Sequence, residues 1–374
     1  MRFFAVIAAC LSLCGCAEGG LKKELKSVLK DAVVRYNTMA TEIEQGGGAY
    51  PYAFDGGEML PAEGDKMWAT GYFAGSMWML ADWAEDAEMV ESAYVHTRRL
   101  DKVISTRNMH DYATVVNAAH KKGQQIKPTD YLAQSLFMVA KSMSNNFAAL
   151  YKSVDNLEGE PEWYHRVSVR TMPVLELMYD NGWAGYAKIH AAHTIDNQFR
   201  EDGAIYEGYI YNSENFKPIA PFSIHGAGEK SAWAQGQALA LYGYAMLYRK
   251  SEEQAFLNKA KSLADYIIAN LDESGIPNWD FDSADVQKDS AAAAIMAAAL
   301  VDLYDLTRNE KYLLTAEQQL VTLCSAEYLA SADECGGLLL KHGVGNRMAG
   351  EQVDAALVYA DYYFIEAIMR YLNL

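Results

Sequence analysis

Apolar residues recur at i, i+3, i+4 and i+7 through most of the chain, and the breaks between these runs are short and polar. The pattern predicts helices over 22–45, 73–84, 86–104, 111–121, 129–149, 166–180, 183–198, 231–249, 252–270, 289–306, 309–328 and 352–372. Leu257, Ala260, Leu263, Ala264 and Ile267 make one stripe, and Leu313, Ala316, Leu320 and Leu323 another. Other runs are apolar on nearly every face, Ala291 to Leu300 above all. A helix that is small and apolar all round belongs inside, packed closely by its neighbours. An all-apolar helix followed by an amphipathic one occurs at 231–249 and 252–270, and again about 56 residues later at 289–306 and 309–328. Inner and outer helices in hairpin pairs predict an all-α fold, a closed (α/α)6 barrel. An open solenoid would need polar capping repeats, and none is evident. Strand signals are sparse: the alternation from Gly203 to Tyr211 allows one short hairpin, and almost no sheet is expected.

The first residues read as an address. Arg2 is followed by an apolar run, Phe3 to Leu13, too short to span a bilayer as a stable helix. Leu13-Cys14-Gly15-Cys16 then resembles a bacterial lipobox, which implies cleavage before Cys16 and lipidation of its thiol. The organisation expected is therefore a signal peptide at 1–15, a lipidated tether at 16–28 and a single barrel domain at 29–374. This places the protein in a bacterial cell envelope, held by lipid to the outer membrane and facing the periplasm or the surface. Removing residues 1–15 takes away the charge of Arg2 and moves the net charge from −17 to −18. Cys324 and Cys335 remain, and an oxidising compartment would let them pair.

That acidity argues against nucleic acid as a partner. The 25 Tyr, 12 Phe and 7 Trp make a chain rich in aromatics, suited either to a large core or to stacking against sugar rings. In a double ring the starts of the inner helices face one mouth, so polar residues there are the candidates for chemistry. They are His110-Asp111, Arg170, Ser223-Ile-His-Gly226, Ser231 to Gln237 including Trp233 and Gln235, and Asn278 to Asp282. Asp111 is equally suited to capping a helix, and Trp233 to filling core. Gln235 and Gln237 need several partners if buried. His190 and His193 stand i, i+3, but no third ligand accompanies them, so no metal is expected. No phosphate loop, dinucleotide fingerprint, nucleophile elbow or zincin motif is present, and no cofactor is expected.

Taken together, several of these segments resemble glycoside hydrolase family 88, the unsaturated glucuronyl hydrolases. The resemblance runs over most of the chain. It rests on Trp68-Ala-Thr-Gly-Tyr-Phe-Ala-Gly-Ser-Met-Trp78, His110-Asp111, Asp202-Gly203, Ser231-Ala-Trp-Ala-Gln-Gly-Gln-Ala238, Pro277-Asn-Trp-Asp-Phe-Asp282, Lys341-His-Gly-Val-Gly345, Asp354 and Tyr359-Ala-Asp-Tyr-Tyr-Phe-Ile-Glu-Ala367. It implies an (α/α)6 barrel acting on oligosaccharides that end in a 4,5-unsaturated uronic acid. In that reaction a carboxyl group protonates the C4 side of the enol ether, water adds at C5, and the resulting hemiketal collapses to release the sugar.

The resemblance also marks where this chain departs. One of the family's two site aspartates matches Asp111. The other, the proton donor, falls on Arg170 in Val167-Ser-Val-Arg-Thr-Met172. A guanidinium cannot supply that proton. Glu207 stands for a family His, His225 for a Gln, Gln235 for an Arg and Leu239 for a Trp. Three readings stay open. One is a glycosidase of altered chemistry, with Asp111, Glu207 and His225 as an acid/base set and Trp68, Arg170, Trp233, Gln235, Lys341 and His342 binding a uronic-acid oligosaccharide. Another is an eliminating, lyase-like enzyme with Arg170 neutralising the uronate and His225 as base. The last is a glycan-binding lipoprotein without catalysis. A mouth lined by Arg170, Lys341 and His342 would be locally positive despite the net charge.

Overall fold

The run Ala291 to Leu300 is buried along its whole length, as expected of an inner helix. In a computed structural model that describes residues 14–101, 109–144, 150–152 and 154–374, with the side chains of 14–18, 109 and 110 left aside, it is part of α10, Ser290–Thr307. Asp289 caps its start, accepting the Ala291 and Ala292 N–H groups. The inner ring continues through α2 (Thr70–Ala84), α4 (109–126), α6 (169–178), α8 (Ala234–Ser251) and α12 (Val358–Leu372). Outside lie α1 (Cys14–Gly46), α3 (Ala87–Arg99), α5 (Asp130–Ser144), α7 (Ala184–Gln198), α9 (Gln254–Asn270) and α11 (Glu310–Leu323). The last inner helix packs against both α10 and α2, which closes the ring. The (α/α)6 barrel expected from the periodicity is the fold.

Glycine explains why the motif at 68–78 is spaced as it is. A Cβ on Gly71 would come within 2.6 Å of the Val115 backbone, and one on Gly75 within 2.5 Å of the Ala118 carbonyl oxygen. The two glycines let α2 and α4 touch backbone to backbone. Further along the same face of α2, the buried Trp78 packs against Gly123 of α4 and donates its indole N–H to the Thr97 hydroxyl at 2.8 Å, pinning the α2–α3 hairpin.

Three expectations need correction. First, the stretch 16–28 is part of the barrel's packing: α1 is helical from Cys14, and Leu21, Leu25 and Val28 are buried in the core. Their i, i+4, i+7 spacing is the amphipathic stripe of α1 itself. Second, the barrel carries two small antiparallel sheets. One pairs β1 (Pro51–Asp55), β2 (Glu58–Pro61), β6 (Gly343–Asn346) and β7 (Glu351–Leu357) in the order β2-β1-β7-β6; the other joins β3 (Tyr164–Ser168), β4 (Gly208–Asn212) and β5 (Pro218–Phe222). Third, 166–180 and 352–372 are not helical throughout. Tyr164–Ser168 and Glu351–Leu357 are extended before the helices begin, and in the second of them Val353, Ala355 and Leu357 alternate with period two. The hairpin allowed from Gly203 starts later, at Gly208, and folds back through β5. Cys324 and Cys335 are both free thiols here, with burial pushing the Cys324 thiol up to about 12.

Candidate active site

Every inner helix sends residues from its N-terminal half into one cavity of about 230 Å³. Trp68 comes from the turn just before α2 and Tyr72 from its first turn, Thr114 and Asn117 from α4, Arg170 and Pro173 from α6, Trp233 from the N-cap of α8 and Gln235 and Leu239 from its start, Ile295 from α10, and Tyr359, Tyr362 and Tyr363 from α12. Strand β1 adds Tyr52 and β6 adds Gly345 and Asn346, while the turn before α2 adds Asp65 and Lys66 and the loop after β5 adds Ile224 and His225. A single π turn, Val116–His120, interrupts α4 where Asn117 and Ala118 meet the cavity, a distortion common beside functional sites.

Arg170 stands in the first turn of α6. Ser168 caps that turn by accepting the Arg170 N–H at 3.2 Å. The guanidinium lies over the Trp68 ring, Cζ 5.2 Å from its centroid. Trp68 in turn packs against Tyr52, Tyr72 and Tyr359. Burial raises the pKa of all three hydroxyls, and the charge of Arg170 pulls only partly against it, so they remain neutral donors. Six of the 25 tyrosines line this cavity.

Glu207 and His225 form one unit. The His225 Nδ1 meets Glu207 Oε1 at 2.6 Å, while Oε2 accepts from the Ser223 hydroxyl at 2.5 Å, the Ile224 N–H at 2.8 Å and the His225 N–H at 2.9 Å. Burial alone would push the Glu207 carboxyl up. The charge and hydrogen bond of His225, with the Ser223 hydroxyl, overcome it and bring it down to about 2. Glu207 is only 1% exposed and does not line the cavity. The expectation that it serves as a catalytic carboxylate is corrected: its oxygens are spent on the 223–225 loop, and it acts on the cavity through His225. The His225 ring lines the cavity and stacks on Trp233, centroids 4.6 Å apart and planes 19° apart.

Gln235 lines the cavity but its amide is already committed. Nε2 donates to Asp289 Oδ2 at 2.8 Å and to the Val344 carbonyl at 2.7 Å. It ties α8 to α10 and β6 rather than offering donors to a ligand. Burial raises the Asp289 carboxyl to about 6, although Gln235 and three backbone N–H groups bond it. Gln237 accepts the Ile205 N–H and donates to the Ile205 carbonyl, fixing the backbone just before Glu207. The two amides do need several partners, and the partners are protein groups.

The other candidates fall elsewhere. Asp111 lies half-buried in the first turn of α4, one turn ahead of the wall residue Thr114, and is not itself a lining residue. The Tyr151 hydroxyl is raised first by burial and then by the charge of Asp111. His110 lies outside the described side chains. Lys341 and His342 do not line the cavity, contrary to expectation: Lys341 donates to the Ala326 carbonyl at 3.0 Å, and His342 hydrogen-bonds Asp354. Lys66 is the lysine at the mouth, paired with Glu351 at 2.9 Å. His190 is a buried ring that accepts the Tyr151 N–H and is lowered to about 3, mainly by burial. Asp280, fully buried, accepts the Ala227 and Asp282 N–H groups and orders its loop. Asp361, from the 359–367 segment, accepts the Leu339 and Leu340 N–H groups and the Tyr36 hydroxyl, a structural clamp. Tyr52, Lys66, Asn117 and Asn346 were missed, because each reaches the cavity by tertiary packing and carries no local motif.

No protein-family model matches the chain. An unsaturated glucuronyl hydrolase of Formosa agariphila is 30% identical over 323 residues, covering 83% of this chain and 81% of that protein. One from Bacillus sp. strain GL1 is 24% identical over 356 residues, covering 88% and 93%. The crystal structure of an unsaturated glucuronyl hydrolase specific for heparin superposes with a TM-score of 0.86 at 29% identity, covering 94% of this chain and 97% of that one. With this likeness carried across the whole barrel, the chain belongs to the unsaturated glucuronyl hydrolases, glycoside hydrolase family 88.

Proposed function

We propose that the chain acts on an oligosaccharide ending in a 4,5-unsaturated uronic acid, with Arg170 holding the sugar carboxylate, and that its proton donor is not the one the family resemblance implies. The observation that carries this reading is the position of Arg170. A guanidinium in the cavity wall, stacked on Trp68 and ringed by neutral tyrosine hydroxyls, suits a planar carboxylate and cannot be a proton donor. Glu207 is compensated by His225, Glu351 and Asp65 share Lys66, and Asp65 lies exposed to solvent at the rim. The protein is acidic as a whole, and the cavity is not.

Product analysis tests the reading. An unsaturated glucuronyl disaccharide should lose its ultraviolet chromophore as free monosaccharide is released in equal amount. New ultraviolet-absorbing ends on a saturated polyuronate would instead support elimination. Binding without any change of either substrate would leave a glycan-binding protein.

The lipobox-like segment supports a second part of the proposal, an envelope protein anchored through lipid on Cys16. Cys16→Ser should leave the chain unlipidated and lost from the membrane fraction of a bacterial host. Unchanged fractionation would contradict the anchor.

A further inference from the structure

Resting on the reading above, we propose that His225 is the proton-transfer group of this site and that Glu207 is its positioning residue. The titratable side chains in the cavity wall are Asp65, Lys66, Arg170, His225 and the tyrosines. Arg170 keeps its proton. The tyrosines Tyr52, Tyr72, Tyr242, Tyr359, Tyr362 and Tyr363 are raised, chiefly by burial. Lys66 is raised on balance: burial works to lower it, but its bond to Glu351 and its other partners outweigh that. Asp65 is 82% exposed at the rim, beside Lys66. Histidine is the remaining type that gains and loses a proton near neutrality.

The local geometry prepares the ring for that task. Glu207 takes Nδ1, so Nε2 is the nitrogen left for a ligand in the cavity. The ring cannot swing, because Trp233 stacks on one face and Glu207 also binds the His225 backbone N–H. Gly226 is essential to this turn: a Cβ there would lie 2.6 Å from the Ser231 hydroxyl and 2.8 Å from that of Ser223. A buried carboxylate holding an imidazole at one nitrogen fixes its tautomer and stabilises the imidazolium. The other charged groups around the ring are Asp280 behind Gly226, Arg170 in the cavity wall, and Asp65 and Lys66 at the rim.

The step balances with this one residue. Imidazolium Nε2–H gives its proton to C4 of the 4,5-double bond, and the π electrons form the new C4–H bond. Water oxygen bonds C5, and Nε2 takes the proton that water loses. The imidazolium is restored and one water has been added; C5–O5 then breaks as O5 takes the proton of the C5 hydroxyl, leaving a C5 ketone, and the hemiacetal left at C1 collapses to an aldehyde as its hydroxyl proton passes to the departing sugar oxygen. Arg170 stays charged throughout, against the uronate carboxylate.

The test follows chromophore loss from an unsaturated glucuronyl disaccharide at saturating concentration across pH, with thermal unfolding and calorimetric binding measured on each variant. Wild-type turnover should decline on the alkaline side as the imidazole loses its proton. His225→Gln should lower kcat at least about 100-fold while KM changes less than about threefold. Glu207→Gln should keep part of kcat and move the alkaline limb down by about one pH unit, because the compensating anion is gone. A folded His225→Gln that binds and turns over as wild type does overturns the proposal. So does a wild type that binds the disaccharide and leaves it unchanged at every pH. An unmoved alkaline limb in folded Glu207→Gln overturns the role of Glu207. Failure of the underlying reading looks different: wild type and Arg170→Ala would then bind the disaccharide equally.

Discussion

Arg170→Ala should weaken binding of an unsaturated glucuronyl disaccharide by about 10- to 100-fold, read by calorimetry. Removing a charged hydrogen-bonding partner costs about 1.5–3 kcal/mol, and Arg170 is the unpaired cation of the cavity wall among the described residues, since Lys66 is engaged by Glu351. Arg170→Lys should fall between, because the ammonium keeps the charge and loses the fork that matches a carboxylate. The loss should shrink as salt is added, but only in part, since the half-buried site is screened less than the surface. Arg170→Asp should not recreate the family's proton-donor arrangement. Glu207 and His225 already occupy the places of a family His and Gln, and Gln235 is bound to Asp289 and Val344. A dissociation constant unchanged in Arg170→Ala would remove the carboxylate clamp and the functional reading with it.

Glu366→Ala should destabilise the barrel by about 3–5 kcal/mol, the usual cost of breaking a buried ion pair from one side. Glu366, on α12, pairs with Lys122 of α4 at 2.8 Å and with Arg370 at 3.3 Å, and it accepts the Tyr242 hydroxyl of α8 at 3.0 Å. One carboxylate thus ties three inner helices together beneath the cavity tyrosines. Burial would raise its pKa, but Arg370 and Lys122 outweigh that and hold it well below the usual carboxylate range. A depressed folded pKa gives stability that is present above the unfolded value of 4.5 and is lost as pH falls through the folded one. Urea unfolding should therefore show the full gap between wild type and variant at neutral pH and a narrowing gap in acid. Glu366→Gln, which keeps an acceptor for Tyr242, should cost less. Equal stability of all three proteins at neutral pH would contradict this account.

The sequence held most of the fold. Leu257, Ala260, Leu263, Ala264 and Ile267 line the inner face of α9, and Ala291 to Leu300 lie wholly inside, as their spacing requires. Such burial is local: a helix repeats every 3.6 residues whatever its neighbours are. The extended stretches were harder, because a strand is completed by its partner. Val167 pairs with Tyr209 and Ala356 with Phe54, far away in the chain. Val353, Ala355 and Leu357 alternate with period two, but the apolar residues that follow them fit a helix equally well.

The site divides along the same line. From the sequence alone came the family likeness, the mouth at the starts of the inner helices, and the presence of Arg170 where an acid is expected. Tertiary structure alone decided what those residues can do. It set Glu207 behind His225 instead of in the cavity, spent the Gln235 amide on Asp289 and Val344, turned Lys341 and His342 away, and brought in Tyr52, Lys66 and Asn346. Spacing along a chain reports which face a residue occupies. A hydrogen-bond partner on another element changes a residue's charge, its free donors and its reach, and that partner is chosen only when the ring closes.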